Sequence, residues 1–207
     1  MDQEEETHYM QEYGHLMLFG FISGITPGPN NILLLSTGVR WGFRRSLPLT
    51  AGITIGLPSV MFFAGTGLQQ VFAIYPIIFT AMKLICGLWT VFLAYGMLRS
   101  DNAEMQSFRL QKPVNFLDAL LLQWVNPKVW AIAISAMTLF MVGEKNSISL
   151  LLRTILPITA AIIPANLAWC LFGVSLSKIL QSKKRLRIFN YTMALALILS
   201  IVPVFRT

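Results

Sequence analysis

The chain has 207 residues, of which 55% are hydrophobic and only 12% charged, with a mean hydropathy of +0.64. A soluble domain carries about 25% charged residues, so these values exclude a disordered chain and argue against a water-exposed enzyme. The net charge of +7 would suit nucleic acid, but the basic residues lie in short stretches between apolar runs, where the positive-inside rule puts them. No nucleic-acid partner is expected.

The N-terminus reads Met1-Asp2-Gln3-Glu4-Glu5-Glu6. A secretory signal starts with positive charge, so the first apolar segment is expected to stay in the mature protein. A membrane helix needs about 20 mostly apolar residues. Six such segments follow, at about 15–39, 47–68, 71–98, 117–142, 150–174 and 188–205, numbered 1 to 6 below. The third includes a turn near Tyr75-Pro76. The expected fold is an all-α integral membrane protein with six transmembrane helices, forming one membrane domain over 1–207.

The loops set an orientation. Arg40, Arg44 and Arg45, then Arg99, Arg109 and Lys112, then Lys178, Lys183, Lys184, Arg185 and Arg187 fall on one side. The other side holds only Lys145, Arg153 and Arg206. The first set is predicted to be cytoplasmic, which puts both termini outside.

Segment 1 is interrupted at Thr26-Pro27-Gly28-Pro29-Asn30, and segment 4 at Asn126-Pro127-Lys128, 100 residues further on. Segments 2 and 5 start at a similar offset. The chain thus reads as two three-segment repeats, about 15–98 and 117–205, joined by a cytoplasmic loop at about 99–116. Three is odd, so the repeats lie in opposite orientations. Inverted repeats with matching interruptions point to a transporter site.

Proline lacks an N–H and breaks a helix, so Pro27, Pro29 and Pro127 are the expected helix breakers. Backbone groups freed by a break cannot face lipid, so the breaks must be buried in protein or line a wet cavity. They are expected to meet near the bilayer midplane. The positive ends of half-helices there suit a carboxylate, and free carbonyls suit an ammonium group. A site with both complements an amino acid.

Polar residues in the spans supply the candidate site. Thr26, Gly28, Asn30, Asn31, Gln123, Asn126, Lys128 and Asn166 are the substrate-binding candidates. Lys128 either holds the substrate carboxylate or pairs with a freed carbonyl and holds the break; the residues alone leave both open. Thr26 is placed to cap the second half of segment 1. The amides of Asn30 and Asn126, beside the breaks, suit a site or gate, while Gln123 and Asn166 suit either a site or interhelical bonding. Lys83 either faces the cavity or snorkels to the interface. No acidic residue falls at mid-span, and Asp118 comes nearest. Lys83 and Asp118, with Lys128, are therefore the candidates for coupling. Gly14, Gly20, Gly24 and Gly28, and the pair Gly52 and Gly56, read as close helix packing. Cys86 and Cys170 sit in apolar runs without metal-ligand spacing, so no metal and no cofactor is expected.

The string Thr26-Pro27-Gly28-Pro29-Asn30-Asn31 resembles the lysine exporter/homoserine-threonine exporter family (LysE/RhtB). So do Gly42-Phe43-Arg44-Arg45-Ser46 and Gln123-Trp124-Val125-Asn126-Pro127-Lys128, and the resemblance runs from about residue 16 to 205. The doubled Asn30-Asn31, Gln111-Lys112-Pro113 and Asn166-Leu167-Ala168-Trp169 are most similar to the branch that exports cysteine and O-acetylserine. Many members carry an aspartate at the position matched to Asn166, and its absence here speaks against a carboxylate-based coupling step.

The resemblance implies a secondary exporter of small neutral amino acids in the bacterial inner membrane, with the two repeats rocking around a midplane site. Its partners would be the amino acid and the lipid bilayer, and small-residue faces would permit a homodimer. No P-loop is present, so a gradient must supply the energy. Two other readings stand: a permease for small organic anions or ions, and a membrane redox relay through Cys86 and Cys170.

Overall fold

The structure, a computed structural model, describes residues 3–68, 74–98, 113–141, 148–180 and 182–206. Among them the regular structure is entirely helical. Helix α1 runs Gln3–Ile25, followed by a non-helical Thr26–Gly28. Helix α2 runs Pro29–Phe63 and continues through one π-type turn, Ala64–Leu68. Helix α3 covers Pro76–Leu98, α4 Phe116–Val125 and α5 Pro127–Phe140. Helix α6 covers Ile148–Ser177 and α7 Lys183–Arg206. Residues 99–112, within the loop expected to be cytoplasmic, and residues 69–73 lie outside the described residues.

Helix α2 bends at Gly42, whose φ of 75° and ψ of 176° leave the helical region. A positive φ is easy only for glycine. The bend divides α2 into 29–41 and 43–63, so the helix that carries the second apolar segment begins at Phe43. Helix α1 likewise reaches further back than the apolar run, to Gln3. Acidic residues in a first helical turn are favourable there, because the positive end of the helix dipole faces them.

Helices α2 and α6 make the most extensive contact, α1 packs on α6, α2 packs on α4, and α3 packs on α7. Two apolar clusters result. One joins Leu16 of α1, Leu57 to Ala64 at the end of α2, Val129 to Met137 of α5 and Leu151 to Ile162 of α6. The other joins Ile32 to Leu34, Leu49 and Ile53 of α2, Ala94, Ala119, Ala194 and Leu197. Along the chain the two clusters are separated at the same places: Thr26–Gly28, Thr54, Gln123–Asn126 and Asn166. The polar side chains therefore sit in a layer between two apolar halves of the core.

The outside of the molecule is apolar as well. Leu88 of α3 is 72% exposed, Ile77 of the same helix 71% and Leu156 of α6 62%. In water so much exposed apolar surface would drive association. Among the described residues, two helices, Pro29–Gly67 and Ile148–Ser177, are long and apolar enough to cross a membrane, while Phe116–Val125 and Pro127–Phe140 are shorter apolar helices.

Candidate functional site

The two interruptions face each other. At the first, α1 ends and leaves carbonyls without intrahelical donors. Asn31 Nδ2 donates to Gly24 O at 2.7 Å and to Thr26 O at 3.2 Å. Lys128 Nζ, from α5, donates to Thr26 O at 2.6 Å and to Pro27 O at 3.4 Å. A cation at the negative end of a helix dipole is electrostatically favoured. Lys128 lies along Gly28: a Cβ there would stand 2.9 Å from its Cδ and Nζ. Glycine thus makes room for the lysine stem.

Of the two roles left open for Lys128, the geometry displays the bond to freed carbonyls. Thr26 does not cap α2. The N-cap is Gly28, without a side-chain bond, and the Thr26 hydroxyl turns back to Ile22 O at 2.6 Å. Its Oγ1 is too far back in the chain for the first α2 turn and closes α1 instead. Pro29 occupies the first position of α2, where its missing N–H has no partner to lose.

At the second interruption only Asn126 leaves helical geometry, with φ −84° and ψ 108°. Its side chain accepts from Lys128 N at 3.0 Å, capping α5, and Pro127 follows at the first helical position. Asn126 N donates to Gln123 O at 3.3 Å. Trp130 Nε1 donates to Trp124 O at 2.7 Å. Two of the carbonyls at the end of α4, those of Gln123 and Trp124, are thus met from within a few residues.

Side chains join the two interruptions. Asn30 Nδ2 donates to Gln123 Oε1 at 2.7 Å, and Gln123 Nε2 donates back to Asn30 Oδ1 at 3.3 Å. Gln123 Nε2 also donates to Ala119 O at 2.9 Å, and Asn126 Nδ2 to Asn30 Oδ1 at 3.4 Å. Gln123 is fully buried, and Asn31, Asn126 and Asn166 nearly so. Buried amides hold this way only when bonded, since an unpaired one costs about 1–3 kcal/mol. Asn166 Nδ2 donates to Thr54 Oγ1 at 3.1 Å, tying α6 to α2.

A small cavity of about 30 Å³ opens at this junction. Helices α1 and α6 and the start of α2 contribute Ser23, Gly24, Asn30, Asn31, Ile162 and Asn166. The later part of α2, with α4 and α5, contributes Ile53, Leu57, Gln123, Lys128, Val129 and Ile132. Such a space holds about one or two water molecules. Among the predicted residues, Asn30, Asn31, Gln123, Lys128 and Asn166 line the cavity. Thr26, Gly28 and Asn126 bind or support those that do.

Lys83, on α3, is half-buried and Asp118 is exposed on the first turn of α4, where its N–H donates to Asn115 Oδ1 at 2.8 Å. Neither lines the cavity. Cys170 is buried and free of any disulfide, and the side chain of Cys86 lies outside the described residues. Ser23 and Thr54 escaped the sequence reading. A serine before a glycine and a threonine inside an apolar run carry no signal of their own, although Thr54 lies between the paired Gly52 and Gly56. Gly14, read as a packing glycine, has nothing within 4 Å of its missing side chain.

A protein-family comparison matches residues 21–203 to the LysE type translocator family. The chain is 27% identical over 187 residues to a cysteine/O-acetylserine efflux protein of Salmonella typhimurium, covering 90% of this chain and 94% of that protein. It is 26% identical over 189 residues to the cysteine/O-acetylserine efflux protein of Escherichia coli K12, with the same coverage of 90% and 94%. No solved structure matches.

Proposed function

The chain belongs to the LysE type translocator family, and on that footing we propose that it exports small neutral amino acids, such as cysteine or O-acetylserine, from the bacterial cytoplasm. It does so by alternating access at the cavity between the two interruptions. It lies in the inner membrane as six spans in two inverted repeats, with both termini outside. Segment 1 is α1 with residues 29–41, segment 2 is 43–68, segment 3 is α3, segment 4 is α4 with α5, segment 5 is α6 and segment 6 is α7.

The observation that carries this reading is the mutual bonding of the two interruptions through Lys128, Asn30 and Gln123. The exposed apolar surface supports burial in lipid. The helix pairing supports the inverted repeat: segment 1 packs on segment 5 as segment 4 packs on segment 2, and segments 3 and 6 pack on each other. Exchanging the repeats leaves that pattern unchanged. The contacts also follow it locally, since Gly24 meets Ile162 as Gln123 meets Gly56.

In the mechanism, the walls part and the bonds between the interruptions are replaced by the substrate. Its ammonium takes the carbonyls of Thr26 and Pro27. Its carboxylate takes the released Lys128 ammonium and the first-turn N–H groups of Asn30 and Asn31, which by position have no acceptor within α2. The uncharged side chain rests on Ile53, Leu57, Ile132 and Ile162. A cationic side chain would find no carboxylate in the lining, and burying a charge unpaired is costly. The bonds re-form when the amino acid leaves, closing the path. Lys83 and Asp118 stand outside this exchange as coupling candidates, and a homodimer is compatible with it.

Efflux from proteoliposomes tests the reading. Wild type should move labelled cysteine or O-acetylserine selectively over lysine, and Asn30→Ala and Lys128→Ala should lose that flux. Flux of organic anions with no flux of any amino acid, under a proton gradient of either sign, would establish the anion permease instead.

A further inference from the structure

Resting on the transport reading above, we infer that the bodies that move against each other are not the two repeats but two helix pairs, each drawing one segment from each repeat. Segments 1 and 5 form one wall of the cavity, and segments 2 and 4 form the other.

Three observations on different contacts bear on this. The first is the lining. Of the cavity residues, six belong to segments 1 and 5 and six to segments 2 and 4. Divided by repeat instead, the lining also splits six and six, so it is the contacts within and between the pairs that separate the two divisions.

The second is the kind of contact inside each pair. A side chain at Gly20 would meet Ile158 O at 2.7 Å, and one at Gly24 the Ala165 methyl at 2.9 Å. Further along the same pair, Gly38 lies against Cys170 O and Gly173 against Leu35 O. In the other pair, Gly52 lies against Phe116 O, and Gly56 against Gln123 with Leu120 O at 3.2 Å. Backbone rests on backbone in both pairs, at Gly20, Gly38 and Gly173 in one and at Gly52 in the other, a contact that small residues permit and that has little side chain to rearrange, while Gly24 and Gly56 rest first on the Ala165 methyl and the Gln123 stem. Such helices move together.

The third is the kind of contact between the pairs. Gly28 meets only the Lys128 side chain, and Gly65 meets the Leu151 side chain across the divide. Hydrogen bonds that cross it include Lys128 to Thr26 and Pro27, the reciprocal Asn30–Gln123 pair, Asn126 to Asn30 and Asn166 to Thr54, and each uses a side chain. Side chains change rotamer without moving the helix that bears them. The divide between pairs is therefore where the molecule yields, while the repeats interlock too closely to rock as separate bodies.

Spin-label distances separate this from rocking repeats. Ile55, Leu121 and Ile163 are 51%, 55% and 42% exposed and accept labels on the lipid-facing surface. Labels go on Ile55→Cys with Leu121→Cys, which share a wall but not a repeat, and on Leu121→Cys with Ile163→Cys, which share a repeat but not a wall. Both are made with Cys86→Ser and Cys170→Ser and reconstituted in vesicles, with and without saturating cysteine. In labelled protein that exports cysteine, the same-wall distance should hold while the same-repeat distance shifts or splits by several ångströms. The reverse pattern, or no shift in either pair, would overturn the two-wall assignment and leave the transport reading standing. Wild-type vesicles that move no amino acid would overturn the transport reading itself.

Discussion

The two helix interruptions serve the same geometric end with different means. Around Asn126 the backbone groups are met locally: the cap, the Asn126 N–H and the Trp130 indole all come from residues 123–130, and only side chains reach out to Asn30 and Ser59. Around Thr26–Gly28 it depends on another helix, because Lys128 reaches over from α5 to the Thr26 and Pro27 carbonyls. Aromatic rings pack the Asn126 side, with Trp124 and Trp130 at 6.1 Å and Phe63 on Trp124 at 4.9 Å. The Thr26 side is instead lined by glycine, amide and carbonyl. One interruption is built to stay as it is. The other is held by a side chain from another helix, the bond that the proposed mechanism gives to the substrate.

The largest effect that comparison predicts is at Lys128. A hydrogen bond to a charged group is worth about 1.5–3 kcal/mol, and each 1.4 kcal/mol is a factor of about ten. Lys128→Met should therefore lower the initial rate of cysteine efflux by about tenfold or more. Gly28→Ala should do the same by pushing the lysine stem away, with Lys128 itself intact. Normal efflux in the alanine variant would show that the stem has another place to lie, and that the two interruptions are not coupled through it.

Next come Asn30 and Gln123. Interhelical hydrogen bonds in membranes are worth about 0.6–2 kcal/mol. Asn30→Ala and Gln123→Ala should each destabilise the protein by about that much, and the double variant by less than the two together, because the second change removes a partner already orphaned. Thermal unfolding in detergent reads the cycle. Strict additivity would mean that the reciprocal amide pair is not a pair in solution.

Much of this difference was legible in the residues, and the reason is physical. Proline and glycine clusters announce where helical bonding can stop, so Pro27, Pro29 and Pro127 drew attention to these stretches of chain. What they could not convey is which groups satisfy the freed carbonyls. Lys128 was readable only as an intramembrane cation needing a partner, since its partner lies 102 residues away. Ser23 and Thr54 left no trace, because a lone hydroxyl in an apolar run looks the same whether it faces a cavity or its own helix. The start at Phe43 of the helix that carries the second segment depends on the φ of Gly42, and glycine in sequence announces freedom without saying how it is used. Which helix packs on which was invisible for a plainer reason. Periodicity reports which face of a helix is buried, not which helix buries it.

At the self-contained interruption the expected effect is smaller. Trp130→Phe keeps a buried ring but removes the donor to Trp124 O. A loss of about 1 kcal/mol in stability follows from one hydrogen bond, without a change in which amino acids are exported. An altered substrate profile would mean that the Asn126 side also takes part in binding, and the contrast between the two interruptions would fail.

The smallest effect is predicted for Thr26, although it sits at the exchangeable interruption. Its hydroxyl donates to Ile22 O, which already receives the Thr26 N–H at 3.0 Å. Removing the hydroxyl therefore strips a second donor from a carbonyl that keeps its first. The group that matters at this residue is the carbonyl, which Lys128 holds and which no side-chain substitution deletes. Thr26→Val preserves the branched shape and should leave efflux within about twofold of wild type and stability within about 0.5 kcal/mol, the range for changes that disturb no buried partner. A loss as deep as that of Lys128→Met would place the threonine hydroxyl on the substrate. Recognition at this interruption would then rest on a side chain, and the backbone carbonyls would only be its support.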